Sequence, residues 1–249
     1  MHSLQDKTVL IIGGSSGIGL RVAHRAAAEG AQLILAGRDA QRLLAAQAEL
    51  IHEAATHDRP APVLRTLQVD AHDPAALENF FESLPPLDHV VSMVGDVMGG
   101  GFLQADMAVI RHVIESKFFA NVRLAQWAAK RLRNGGSMVF TAGTGGRAQD
   151  ACASYVGNLG INALVEGLAV ELAPRVRVNS VCPTWTLTPF WRAMPSEQVE
   201  ATRSHFESII PLKRLASMDE LAEAYLFLMG NGFITGQHLA VDGGIMLGA

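Results

Sequence analysis

The stretch Val9-Leu10-Ile11-Ile12-Gly13-Gly14-Ser15-Ser16-Gly17-Ile18-Gly19 constrains the fold of this chain more than any other. An apolar run of strand type meets three spaced glycines, and a helical pattern follows at once. Gly13 lets the backbone turn sharply at the strand end. Gly17 removes a side chain where a diphosphate must come close, and Gly19 lets the new helix pack tightly on the strand. The free N–H groups of the helix start, with roughly half a positive charge, then face the phosphates. A glycine-rich turn alone would say little. Set between a strand and a helix, this one predicts a dinucleotide-binding turn, held by Gly13, Ser15, Ser16, Gly17, Ile18 and Gly19.

Strand and helix patterns alternate along the rest of the chain. Further strands are predicted at 33–36, 64–69, 89–94, 137–142, 176–181 and 238–241. The first helix ends near Gly30. A second runs over about 39–51 with Asp39 as its cap, and a short third starts at Asp73-Pro74. A long helix is predicted over about 104–133, an apolar one up to Ala173, and a last one near 219–229. The segment 184–207, rich in Trp, Pro and Thr, reads as irregular and lid-like, with the lid region extending to about 210. Such alternation requires right-handed crossovers and a mostly parallel, doubly wound α/β sheet with helices on both faces. No repeat, low-complexity tract or long linker interrupts it, so a single domain over 1–249 is expected. Ligands of such sheets sit beyond the carboxyl ends of the strands.

Composition narrows the function. A net charge of −4 with scattered bases argues against nucleic acid or a membrane surface as partner. The basic cluster at 130–133 reads as a helix C-terminus complementing its dipole. No segment approaches the roughly 20 apolar residues of a membrane span, and no leader pattern is seen. Cys152 and Cys182 make no disulfide framework and fit a reducing cytoplasm. The nine histidines show no metal-ligand spacing, so no metal is expected.

Several motifs in order resemble the short-chain dehydrogenase/reductase family over nearly the whole chain. The Gly13–Gly19 turn is similar to its TGxxxGIG motif, with Ile12 in place of the threonine. Asp70 resembles its adenine-contacting aspartate. Glu171-Leu172-Ala173-Pro174, Arg177-Val178-Asn179, Pro183 and Thr188-Pro189 resemble a further run. Pro211-Leu212-Lys213-Arg214, Ile234-Thr235-Gly236 and Val241-Asp242-Gly243-Gly244 resemble its C-terminal signature. The resemblance implies a Rossmann-type sheet of about seven strands and hydride transfer between a nicotinamide and a carbonyl or secondary alcohol. It also implies Gly95 at the ribose site, Pro183 and Thr188 beside the nicotinamide, and a homodimer or homotetramer.

The family's reaction residues do not carry over. The tyrosine position falls on Ser154, the lysine position on Asn158, the serine position on Gly143, and the asparagine position near Ser116. Neutral Asn158 could hold a ribose hydroxyl but supplies no positive field to a phenol. Tyr155, Thr141 and Thr144 remain as candidates to handle the proton, though Tyr155 could equally pack and the threonines serve the strand end. A subgroup of the family is similar to this chain in having Phe118-Phe119 after a lysine and an Asn-Ala-Leu helix. That marks a natural divergent member.

At the end of the second strand the position for a ribose-binding acid is Ala36, and Arg38 follows. A guanidinium there can pair with a 2′-phosphate, while Asp39 is used as a cap, so NADP(H) is favoured over NAD(H). Trp185, Phe190, Trp191 and Met194 in the lid suggest a small-molecule substrate with a hydrophobic part, or packing of the lid on the body. Two functional classes stay open: an NADP(H)-dependent oxidoreductase with an atypical proton relay, or a catalytically inactive nicotinamide-nucleotide-binding protein acting as a sensor or structural subunit.

Overall fold

A computed structural model describes residues 3–248. Seven parallel strands form one sheet in the order β3-β2-β1-β4-β5-β6-β7. They are β1 (Thr8–Ile12), β2 (Gln32–Gly37), β3 (Leu64–Gln68), β4 (Leu87–Ser92), β5 (Leu132–Thr141), β6 (Val176–Pro183) and β7 (His238–Val241). The chain builds outward from β1 to β2 and β3, then returns to place β4 on the other side. The direction of winding therefore reverses between β1 and β4, the place where such sheets open a crevice for ligands.

Side-chain alternation explains why both faces are covered. Leu10 and Ile12 of β1 point to one face, with Val90, Met138, Phe140 and Val178 from neighbouring strands. On that face lie α3 (Pro74–Glu82), α5 (Ala120–Arg131) and α6 (Ala148–Glu171), contributing Leu77, Phe81, Leu124, Ile161 and Val165. Val9 and Ile11 point the other way, with Leu33, Leu35, Val91, Val139 and Val181. They meet α1 (Gly17–Ala28), α2 (Ala40–Thr56) and α8 (Met218–Gly230) through Val22, Leu43, Leu50 and Tyr225. Each fully buried aliphatic side chain contributes about 1.5–3 kcal/mol, so a run such as Val9–Ile12, buried on both faces, anchors the turn that follows it.

The predicted caps are present. Asp39 accepts from the Arg42 N–H at 3.0 Å, and Asp73 from Ala75 and Ala76 at 3.0 and 3.1 Å. Two predictions need correction. The helix over 104–133 is three pieces: α4 (Met107–Ile114), a π turn (Glu115–Phe119) and α5. Leu132 and Arg133 leave it for β5, because Leu132 is buried and pairs with Leu87 in the sheet. The region 184–207 is not irregular throughout. After a 3₁₀ turn (Pro189–Trp191) it forms α7 (Ser196–Ile209), none of whose residues is buried. The Trp, Pro and Thr before it are what give the region its irregular composition.

Candidate active site

The turn after β1 is shaped by what cannot be there. Gly13 has φ +85°, and a Cβ on it would lie 2.8 Å from Cβ of Met93. A Cβ on Gly19 would run into the Gly13 carbonyl oxygen. Gly17, with φ +56°, opens α1 and faces Thr188 and Pro189 of the lid, whose nearest atoms lie 3.5 and 3.6 Å from a Cβ placed there. The first turn of α1 carries no acid, and the Ser16 side chain makes no cap bond. Arg192 of the lid reaches across and donates to Ser16 Oγ at 3.5 Å. Backbone N–H groups, an uncommitted hydroxyl and a guanidinium thus converge on one spot. This is a cradle suited to a diphosphate.

The end of β2 borders the same crevice. Ser15 Oγ lies 3.4 Å from where a Gly37 Cβ would be, so the two loops abut. Ala36 is fully buried and Arg38 exposed. Asp39 is occupied elsewhere: besides capping α2 it accepts from Arg42 Nε at 2.6 Å. Those bonds from the Arg42 backbone and side chain hold its carboxyl below the usual range. Asp39 is therefore turned to Arg42 and leaves the exposed Arg38 guanidinium to an incoming anion. Asp70, just past β3, accepts from the His72 N–H at 3.0 Å and pairs with the His72 ring at 2.9 Å.

The residues expected at the family's reaction positions each have partners of their own in the structure. Ser154 is buried, accepts from the Met98 N–H at 2.6 Å and donates to the Met98 carbonyl at 3.0 Å. It straps the loop after β4 onto α6. Ser116 Oγ accepts from the Asp96 N–H at 3.1 Å and donates to the Val113 carbonyl at 3.2 Å. Gly143 and Asn158 are coupled: a Cβ on Gly143 would lie 2.9 Å from Asn158 Nδ2, so the amide fills the room a serine would need. Asn158 Oδ1 is buried with no hydrogen-bond partner. The Thr141 hydroxyl donates to the Ser92 carbonyl at 2.7 Å and meets Tyr225 Oη at 2.7 Å. Burial pushes the Tyr225 phenol up, so it stays protonated and can donate to Thr141. The Thr144 hydroxyl is held only weakly, 3.5 Å from the Cys182 carbonyl, and Tyr155 is half-buried on α6.

One residue absent from the expected set stands out. Lys117, in the π turn, is 6 % exposed. Its stem passes between Gly95 and Gly157. A Cβ on Gly95 would lie 3.1 Å from Lys117 Cγ, and one on Gly157 3.0 Å from Cδ. Phe118 fills the next gap, 2.8 Å from a Cβ on Gly160. Glycine inside a helix costs about 1 kcal/mol relative to alanine, so Gly157 and Gly160 in α6 are the readable trace of this insertion. Asn121 locks the Lys117 backbone. Its Nδ2 donates to the Lys117 carbonyl at 2.6 Å and the Val94 carbonyl at 3.0 Å, while its Oδ1 accepts from Ser92 Oγ at 2.6 Å. Burial lowers the Lys117 pKa to about 8, with the Cys182 thiol and Asp96 acting against it. Burial raises the Cys182 thiol, which lies 3.6 Å from Ser180 Oγ.

Over the crevice, Trp185 stacks on Trp191 at 5.7 Å and on Phe206 at 5.8 Å, while Phe190 meets Trp191 edge-on at 4.9 Å. The lid aromatics thus form a stack with one another, and Phe190 remains half exposed.

The fold and its crevice define a Rossmann-type α/β protein of the dinucleotide-binding class. A family model described as enoyl-(acyl carrier protein) reductase matches residues 13–246. The short-chain dehydrogenase/reductase fsr5 of Gibberella fujikuroi is 31% identical, over 99% of this chain and 97% of its own. NADPH-dependent aldehyde reductase 1 of Arabidopsis thaliana is 27% identical, over 100% of this chain and 89% of its own. A solved short-chain type dehydrogenase/reductase from Mycobacterium ulcerans superposes with TM-score 0.88 at 28% identity, covering 98% of this chain and 91% of that one. The chain belongs to the short-chain dehydrogenase/reductase family, whose members are nicotinamide-dependent oxidoreductases.

Proposed function

We propose that this protein is an NADP(H)-dependent oxidoreductase that interconverts a carbonyl and a secondary alcohol on a small molecule. The observation that carries the reading is the crevice between β1 and β4. Its glycine turn has no room for side chains at Gly13 and Gly19, and Arg38 stands exposed at the neighbouring strand end with Asp39 turned to Arg42.

Gly13, Ser15, Ser16, Gly17, Ile18 and Gly19 hold the diphosphate, with Arg192 closing over it from the lid. Arg38 pairs with the 2′-phosphate, and Asp70 meets the adenine edge. Gly95 borders the ribose. Asn158 Oδ1, buried without a donor, accepts from a ribose hydroxyl. Pro183 and Thr188 position the nicotinamide. When bound, the reduced nicotinamide supplies hydride to the carbonyl carbon. Thr144 and Tyr155 orient the substrate oxygen, and Thr141, tied to Ser92 and Tyr225, steadies the strand end beneath them. The segment 184–210 covers the site as a lid and excludes water, and its half-exposed Phe190 favours a substrate with a hydrophobic part.

The reading includes one domain over 1–249, a cytoplasmic setting and a homodimer or homotetramer. The exposed apolar residues Phe119, Val156, Leu159 and Val170 on the π turn and α6 favour self-association. No helix is long and apolar enough to cross a membrane among the described residues.

The test is a panel of aldehydes, ketones and secondary alcohols with NADPH, NADP⁺ and their unphosphorylated counterparts, followed by nicotinamide absorbance. Turnover preferring the phosphorylated cofactor is expected. Tight nucleotide binding with no turnover on any compound would favour the second reading, a nucleotide-binding protein without chemistry. That reading is favoured by the commitment of Ser154 to the Met98 backbone.

A further inference from the structure

Lys117 presents a physical anomaly. A largely buried ammonium is costly unless it is paired, and among the described residues no hydrogen bond is made by the Lys117 side chain. Yet the chain gives up side chains at both Gly95 and Gly157 to let the stem pass, and uses Asn121 to fix the backbone from which it springs. The stem runs toward the carboxyl ends of β5 and β6, where its charge is felt by Cys182, whose thiol lies 3.6 Å from Ser180 Oγ. Asn158 follows Gly157 on the same turn of α6. Its amide abuts Gly143, and its Oδ1 lacks a donor. The Lys117 stem against Gly157 and an acceptor lacking a donor at Asn158 thus sit at successive residues of α6. The residues at the family's serine and tyrosine positions offer no free hydroxyl there.

We propose that Lys117 is the acid–base residue of this site, its ammonium delivered by the π turn between α4 and α5, giving one proton to the carbonyl oxygen of the substrate. The proposal rests on the oxidoreductase reading. As the carbonyl carbon accepts hydride from the reduced nicotinamide, an N–H bond of Lys117 breaks and an O–H bond forms. The substrate is reduced by two electrons, the nicotinamide is oxidised, and the neutral amine takes a proton back from water. In alcohol oxidation the neutral amine is the base and each transfer reverses. The charged and titratable groups facing Lys117 are few. Cys182 comes from β6, and Asp96 follows β4, itself paired with His112 of α4 at 2.7 Å. From α6 it meets Gly157.

The test combines a spectroscopic and a kinetic readout. Lysines are labelled with ¹³C at Cε, and the resonance missing from K117M is assigned to Lys117. Its titration midpoint is expected near pH 8, and the resonance is expected to move when NADP⁺ is added. Carbonyl reduction by the unaltered protein should fall above that midpoint, and alcohol oxidation should rise through it. K117M should lose about 10²–10⁴-fold in kcat with NADPH affinity retained. If K117M does not fold, G157A, which crowds the stem, displaces the same resonance and identifies it. A midpoint at the ordinary lysine value, no response to NADP⁺, or turnover undiminished in K117M overturns the proposal and leaves the oxidoreductase reading standing. No turnover by the unaltered protein on any carbonyl overturns that reading and the proposal together.

Discussion

Replacing Lys117 by methionine should make the protein more stable while costing it activity. Methionine keeps a flexible stem that fits between Gly95 and Gly157 and removes the charge. Lys117 is essentially enclosed, and its pKa falls from the ordinary 10.5 to about 8. At 1.36 kcal/mol per unit, the folded state bears a penalty of about 3 kcal/mol for keeping the ammonium charged. The direction with pH follows from proton counts. Below pH 8 the lysine is charged in both folded and unfolded chains, and the penalty is fully present. Between pH 8 and 10.5 the unfolded chain holds the proton and the folded one does not, so the stability of the unaltered protein rises with pH. Above that window the penalty is gone. Urea unfolding of both proteins at several pH values should therefore show K117M more stable by about 3 kcal/mol at pH 7, with the gap closing toward pH 10.5. In thermal scans near neutrality the gap corresponds to roughly 6–12 °C for a chain of this size. K117M less stable at pH 7, or a gap that does not change with pH, would refute the reasoning.

Other residues give independent checks. R38A should weaken NADPH binding roughly ten- to a hundredfold, the worth of a charge-assisted pair, and leave NADH binding nearly unchanged; calorimetry with both nucleotides decides it. S154A leaves the Met98 N–H and carbonyl unpaired and should cost about 1–3 kcal/mol in urea unfolding, with kcat largely kept, because its hydroxyl serves the loop and not the substrate. G157A places a Cβ 3.0 Å from Lys117 Cδ and should reduce kcat by about tenfold or more with little change in NADPH affinity, as measured by steady-state kinetics beside direct binding.

What could be read from the chain is what depends on neighbours in sequence. The Gly13–Gly19 turn, the caps at Asp39 and Asp73, and β1 and β7 are local patterns, and the structure has them where the residues place them. The spacing of Gly143, Ser154 and Asn158 from strong motifs is equally local, and it carries the expectation that they stand at the family's reaction positions. What lies beside them is not readable. Lys117 meets Gly157 and Gly95 only after the π turn rotates it toward α6, and no periodic pattern reports a π turn. Helix α7 is missed for a different reason: the Trp-, Pro- and Thr-rich run before it reads as irregular, and none of its residues is buried to mark a core face. The start of β5 reads as helix in the sequence because Lys130, Arg131 and Arg133 continue a basic helix end, whereas the sheet claims Leu132 through its pairing with Leu87.

The most direct measurement is calorimetric titration of the folded protein with NADPH, NADH and no other ligand, with G19A as the control whose Cβ invades the turn. Saturable heat with NADPH, weaker binding of NADH, and none in G19A are predicted. A well-folded protein that gives no heat with either nucleotide would contradict the claim that this crevice is built around a dinucleotide.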